Sequence, residues 1–201
     1  MAKASTPRTD LLYSVNIYIS NTESIYIMTD KTKFDAMCFS GCPNYKKKWS
    51  CPPFAPVYHH FAFGWKYLYV FYMQIKMNQF IYIKNDYLKI KAANNILKSK
   101  ADKYIRKMAL RYGKYISTGS CRLCKPCKCK IGQPCANPEE KAYSYEAMGI
   151  DVGALVEVYF KSKLLWYKRG QLPEYTSIVC GLLSNDLYSF ETIHDEYMEL
   201  I

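Results

Sequence analysis

The sequence predicts an α/β or α+β domain with a small mixed sheet, flanking helices and two cysteine-rich metal-binding loops. Three observations carry this. Short segments alternate apolar with polar residues. One long segment repeats apolar residues at three- and four-residue steps. The cysteines concentrate in two stretches that have no period. The chain has 201 residues, 50% hydrophobic and 22% charged, which suits a single domain with a sizeable core. That composition excludes disorder and collagen-like repeats, and there is no internal repeat. Residues 1–201 read as one domain, with cysteine loops at 38–56 and 121–138.

Taken in order, Leu12 to Ile19 alternates and predicts a strand. Ser24 to Met28 continues in the same style after the turn-like Asn21-Thr22, which predicts a second strand and a hairpin. Cys38 to Pro56, rich in Cys, Pro, Gly and Asn, predicts an irregular loop. Trp65 to Ile75 is aromatic and β-branched and predicts a central strand, with Phe80 to Ile83 extending it or pairing with it. The most apolar run, Tyr67 to Ile75, is nine residues long. A spanning helix needs about 20 apolar residues, so this run is a buried strand. The clearest helix starts near Asp86 as N-cap and ends at Gly113. Its apolar positions are Ala93, Leu97, Ala101, Tyr104, Ile105, Met108 and Tyr112, and its other face is basic. Tyr115 to Thr118 predicts a short strand, Cys121 to Pro138 a second irregular loop, and Asp151 the cap of a helix from Val152 to about Lys161. Thr176 to Leu183 predicts a last strand and Glu191 to Ile201 a last helix. The two cysteine loops are expected to meet beside the sheet.

Met1 to Asp10 has no apolar core of the kind a secretory signal carries, so the expected compartment is the cytoplasm. Disulfides seldom persist there, and nine cysteines call for metal ligation instead. The second stretch runs Cys121-x2-Cys124-x2-Cys127-x-Cys129-x5-Cys135. Three thiolates at this spacing wrap one 4Fe–4S cubane, because the intervening backbone folds back toward the sulfurs. Cys135 is the natural fourth ligand and Cys129 its competitor. Structural zinc more often uses two well-separated CxxC pairs, and zinc remains the alternative. The first stretch, Cys38-x3-Cys42-x8-Cys51, offers three thiolates. Either Cys129 completes that site, or it is a cubane with one open iron, able to bind a substrate or sulfide. The x3-x2 spacing that initiates radical chemistry is not met.

Cys38-x3-Cys42-Pro-Asn-Tyr, Trp49-Ser-Cys51-Pro-Pro, Cys121-x2-Cys124-x2-Cys127, Cys135-x2-Pro138 and Glu146-Ala-Met-Gly-Ile-Asp-Val152 together resemble a cysteine-rich predicted metal-binding family of anaerobic bacteria and archaea with no assigned reaction. The resemblance spans roughly Cys38 to Val152. It implies Cys38, Cys42, Cys51, Cys121, Cys124, Cys127 and Cys135 as cofactor ligands, with Cys129 and Cys180 as extras. The chain departs from the pattern at Ala136, where arginine is usual, and at Lys46 to Lys48, where a glycine is.

Lys and Arg total 28 against 17 for Asp and Glu, a net charge of +11. Two clusters with seven thiolates would lower this to about +8. Lys46 to Lys48, Arg122, Lys125, Lys128 and Lys130 crowd the cysteine stretches. They offset cluster charge or dock a small anionic substrate, a sulfide donor or an acidic electron-donor protein. Nucleic acid is the less favoured partner, because the helix tyrosines fall on the apolar face rather than among the basic residues. His59, His60 and Glu146 are the catalytic candidates, the histidines as ligand to an open iron or as proton carriers. Trp49, Tyr45 and Trp65 would shield a cluster from water. Cys180 reads as a buried small hydrophobe. The absence of GxGxxG, P-loop and GxSxG motifs removes support for nucleotide-cradling and serine-nucleophile chemistry. The functional expectation is an iron–sulfur enzyme for sulfur transfer or reduction of a small substrate, set against an electron carrier with two closed clusters and a zinc-stabilised RNA- or protein-binding module.

Overall fold

The computed structural model describes residues 11–200, so the readings of Met1 to Asp10 and of Ile201 lie outside the described residues. The centre of the fold is the apolar run. Tyr67–Lys76 forms β2, hydrogen-bonded on one side to β1 (Tyr13–Asn21) and on the other to β4 (Tyr175–Ser184). β4 also pairs with the short β3 (Lys114–Ile116), giving the order β1-β2-β4-β3. Every one of these pairings is antiparallel, so the sheet is not mixed as expected. The chain between β2 and β3 does make a parallel crossover through a long helix. β4 inserts between those two strands, so no parallel pair shares hydrogen bonds. The architecture is α+β.

β2 is buried on both faces, which is why its sequence is continuously apolar rather than alternating. Tyr69, Phe71, Met73 and Ile75 face α3 (Asp86–Tyr112) and α5 (Phe190–Leu200). Leu68, Val70 and Tyr72 face the opposite layer, built from α2 (Tyr58–Ala62) and α4 (Val152–Phe160). β1 lies at the sheet edge and keeps its alternation, with Val15, Ile17 and Ile19 packed on the α3 side.

α3 buries the predicted stripe, with Ile90 added at its start. Its cap is Asn85 rather than Asp86, the Asn85 side chain accepting from Leu88 N at 3.0 Å. The helix stops where α3 meets β4. A Cβ on Gly113 would stand 1.7 Å from Leu183 O, so only glycine permits that approach. Asp151 caps α4 as expected, accepting from Ala154 N at 3.1 Å.

Three readings are corrected. Thr22–Met28 is a 3-10 turn, not a strand, and β1 makes no hairpin with it. Only Thr22 and Ile25 are buried there, three apart on one face, as a 3-10 turn requires. Phe80 to Ile83 neither extends β2 nor pairs with it. Met77–Phe80 is again a 3-10 turn with Met77 and Phe80, three apart, both buried. The first cysteine stretch is not wholly irregular. Lys31–Gly41 forms α1, so Cys38 sits on a helix and the loop begins at Cys42. Asp30 caps α1 through Lys33 N at 2.9 Å, and Lys31 pairs with Asp35. Phe34 is its one buried residue, so no apolar period marks the helix.

Candidate metal centre

The loop after α1 and the loop after β3 meet, and residues 46–50 form the seam. Cys121 N donates to Ser50 Oγ at 2.9 Å, Lys48 Nζ to Cys121 O at 2.9 Å, and Trp49 Nε1 to Gln133 O at 2.8 Å. Ser50 is 1% exposed and its hydroxyl also lies 4.0 Å from Cys51 Sγ. A single buried serine therefore touches both cysteine groups.

In the rear group, Cys121, Cys124, Cys127 and Cys135 line one cleft together with Trp49, Asn137 and Lys141. Asn137 Nδ2 donates to Cys124 Sγ at 3.1 Å. Burial alone would lower the Lys141 ammonium, yet the Tyr143 hydrogen bond and negative charge at Tyr143, Cys135 and Cys121 hold it above its ordinary value. The cleft thus joins four thiols to an N–H donor and a cation. Cys135 lines it and Cys129 does not. Cys129 is buried in the turn Lys128–Ile131, where its thiol faces Lys46 O at 3.6 Å.

The front group is Cys38, on the last turns of α1, with Cys42 and Cys51. Cys42 N closes the helix on Cys38 O at 3.1 Å, and Cys51 N turns back on Lys48 O at 3.0 Å. Burial pushes the Cys51 thiol up to about 11; Ser50 and Lys48 work against this, while charge on Cys42 and Cys38 adds to it. Burial also raises Cys38, followed by negative charge on Cys42, Asp35 and Glu146. Charge on Cys42 thus acts on both of the other thiols. Among the described residues no three His, Cys, Asp or Glu side chains come together in a group that could hold a metal ion. The donor chemistry nonetheless fits a thiophilic metal: four sulfurs line one cleft, and three more cysteines lie on the stretch that Ser50 ties to it.

The remaining candidates separate. Glu146 is partly buried in a 3-10 turn packed on α1. Its carboxyl is raised by burial, against backbone and Ser144 hydrogen bonds. His59 and His60 are exposed on α2, their rings 4.3 Å apart, and neither lines the cleft or hydrogen-bonds a cysteine. Trp49 closes one side of the cleft and packs on Phe54 at 4.6 Å, whereas Trp65 belongs to the core around α2 and α4. Cys180 is fully buried in β4 opposite Phe71. Ser50, Asn137 and Lys141 were not singled out from the sequence. Asn137 falls inside the Cys135-x2-Pro138 motif, the one signal that pointed toward it.

A family profile described as a predicted metal-binding protein, DUF2284, matches residues 23–183. The chain belongs to this family. The DUF2284 match takes in all nine cysteines and both groups. Searches of curated proteins and of solved structures return no match. Among the described residues of this DUF2284 chain, no helix is long and apolar enough to cross a membrane.

Proposed function

We propose that this chain is a cytoplasmic iron–sulfur enzyme with two metal sites of different kind. The observation that supports the reading is the cleft lined by four thiols, to which Ser50 ties the stretch that carries the other three. Cys121, Cys124, Cys127 and Cys135 would hold a closed 4Fe–4S cluster, which would supply an electron-transfer centre or a brace for the loop. Cys38, Cys42 and Cys51 hold a second. A cubane with three thiolate ligands supplies an iron whose fourth position is free for a small ligand, which suits sulfur transfer or reduction.

The chain's own residues do the rest. Trp49 and Ser50 wall one cluster from water and tie it to the other. Asn137 and Lys141 offset sulfur charge. Glu146, in the turn packed on α1, is the carboxyl this reading assigns to substrate at the three-thiol site. Cys129 and Cys180 are not ligands in this reading, and it gives His59 and His60 no role.

The test is metal and acid-labile sulfide analysis of anaerobically purified protein, alone and as Cys51→Ala. Iron with equal sulfide, lost in part in Cys51→Ala, supports the reading. Zinc without iron replaces it with a zinc-stabilised binding module. Two clusters with no response to added sulfide or reducible small molecules replace it with an electron carrier.

A further inference from the structure

Between α3 and the two loops lies a second cavity, of about 250 Å³. Lys48, Lys98, Arg122 and Lys125 line it, and Asp102 is the one carboxylate that faces it. Asp102 is already engaged: it accepts from Tyr115 Oη at 3.2 Å and pairs with Arg106 and Arg122, each at 3.7 Å. Lys48 spends one of its three N–H groups on Cys121 O. Among the described residues, Lys98 and Lys125 have no carboxylate within ion-pair distance. Four cations thus face one carboxylate, before the charge of the thiol at Cys124 and of Glu146, which shares a neighbouring cavity with Lys98, is counted. The hydroxyls of Thr118 and Ser120 add donors, and Ser117 Oγ, donating to Gly119 O at 2.6 Å, folds the segment between them. Cys124, a thiol of the four-thiol cleft, also borders this cavity.

Convergent cations in a concavity need an anion, since like charges held together repel unless compensated. The cavity is below the usual range of about 300–1,000 Å³ for drug-sized ligands, so it suits a small anion rather than a protein surface. Four converging cations with neighbouring hydroxyl donors match a multiply charged oxyanion better than a single carboxylate. We propose that this cavity binds the phosphate group of a small phosphorylated substrate and holds it beside the metal centre. The proposal deepens the enzyme reading by naming its substrate class. Binding itself rests on the side chains of α3 and the loops, not on which metal the thiols hold.

The experiment is calorimetric titration of anaerobically prepared full-length protein with inorganic phosphate and then pyrophosphate. Metal is measured on the same sample. Saturable binding of one phosphate per chain is expected. The Lys98→Gln/Lys125→Gln variant should weaken it on the order of tenfold or more, the usual cost of losing charged hydrogen bonds. Lys84→Gln/Lys168→Gln removes the same charge at exposed sites elsewhere and should leave it within about twofold. No saturable binding, or equal weakening by both pairs, overturns the site. A single-stranded oligonucleotide that binds more tightly than phosphate and is lost in the Lys98/Lys125 variant overturns it in favour of nucleic acid. Phosphate binding to protein that carries no metal keeps this site and refutes the metal reading; metal without phosphate binding does the reverse.

Discussion

Gly149→Ala tests how α1 is held in place. Gly149 has φ +91, and a Cβ there would stand 2.7 Å from Lys31 Cα and 2.9 Å from Lys31 N. Both are backbone atoms at the start of α1, so no rotamer change relieves the contact. Gly149 O accepts from Asp30 N at 2.7 Å, and Asp151 N donates to Met28 O at 3.0 Å, which pins the same junction. An L-residue in the left-handed region costs about 1–2 kcal/mol. Overpacking against rigid atoms costs about 1–3 kcal/mol. Together these make about 2–5 kcal/mol. For a chain of this size, with about 2–4 °C per kcal/mol, the melting temperature should fall by roughly 10 °C. Gly64→Ala is the control. Its φ is +82 but nothing lies within 4 Å, so it carries the backbone strain alone, about 1–2 kcal/mol. Thermal melts followed by circular dichroism compare the two, with metal analysis on the same samples. Because α1 carries Cys38, Gly149→Ala should also deplete metal at the three-thiol site and spare the four-thiol cleft. If Gly149→Ala melts within a degree or two of Gly64→Ala, the close contact at Lys31 is not what positions the helix.

Three further variants probe other parts of the account. Ser50→Ala removes the hydroxyl that Cys121 N uses and should cost about 1–3 kcal/mol by leaving that amide unpaired, with faster metal loss to a chelator. Asp151→Asn keeps a cap but not the charge. The Asp151 carboxyl is held below its ordinary 3.8 chiefly by Ala154 N, with burial opposing and Lys33 assisting. Its stabilisation is therefore full above pH 3.8 and lost as the pH falls through the folded value. The gap from wild type, at most about 1 kcal/mol near neutrality, should close in acid urea melts. Cys180→Ser puts a hydroxyl into the core opposite Phe71 and should cost about 1–3 kcal/mol while the metal content stays unchanged.

The parts of the fold that the sequence disclosed are those with many buried positions. α3 buries eight residues at regular steps, and β2 is apolar throughout because helices cover both its faces. α1 stayed hidden because it buries Phe34 alone. The two 3-10 turns at Ile25 and Phe80 are too short for a period of three to be told from an alternation. Antiparallel pairing was not legible because β4, last in the chain, inserts between β2 and β3, a long-range choice that local pattern does not encode. At the site, cysteine spacing was enough to group the rear thiols, since ligands on one loop are constrained by that loop. What joins the groups, Ser50 to Cys121 and Trp49 to Gln133, spans more than seventy residues of chain and emerges only on folding. Cys135 rather than Cys129 lines the cleft because the turn Lys128–Ile131 points the Cys129 thiol at Lys46.

The central claim is that the seven cysteines form two separate metal centres. The most direct measurement is iron and sulfide per chain in anaerobically purified wild type, in Cys38→Ala/Cys42→Ala/Cys51→Ala and in Cys121→Ala/Cys124→Ala/Cys127→Ala. Four irons belong to each cubane, so the account predicts about eight in wild type and about four in each triple variant. Loss of all iron in either variant, or zinc in place of iron in the wild type, would contradict it.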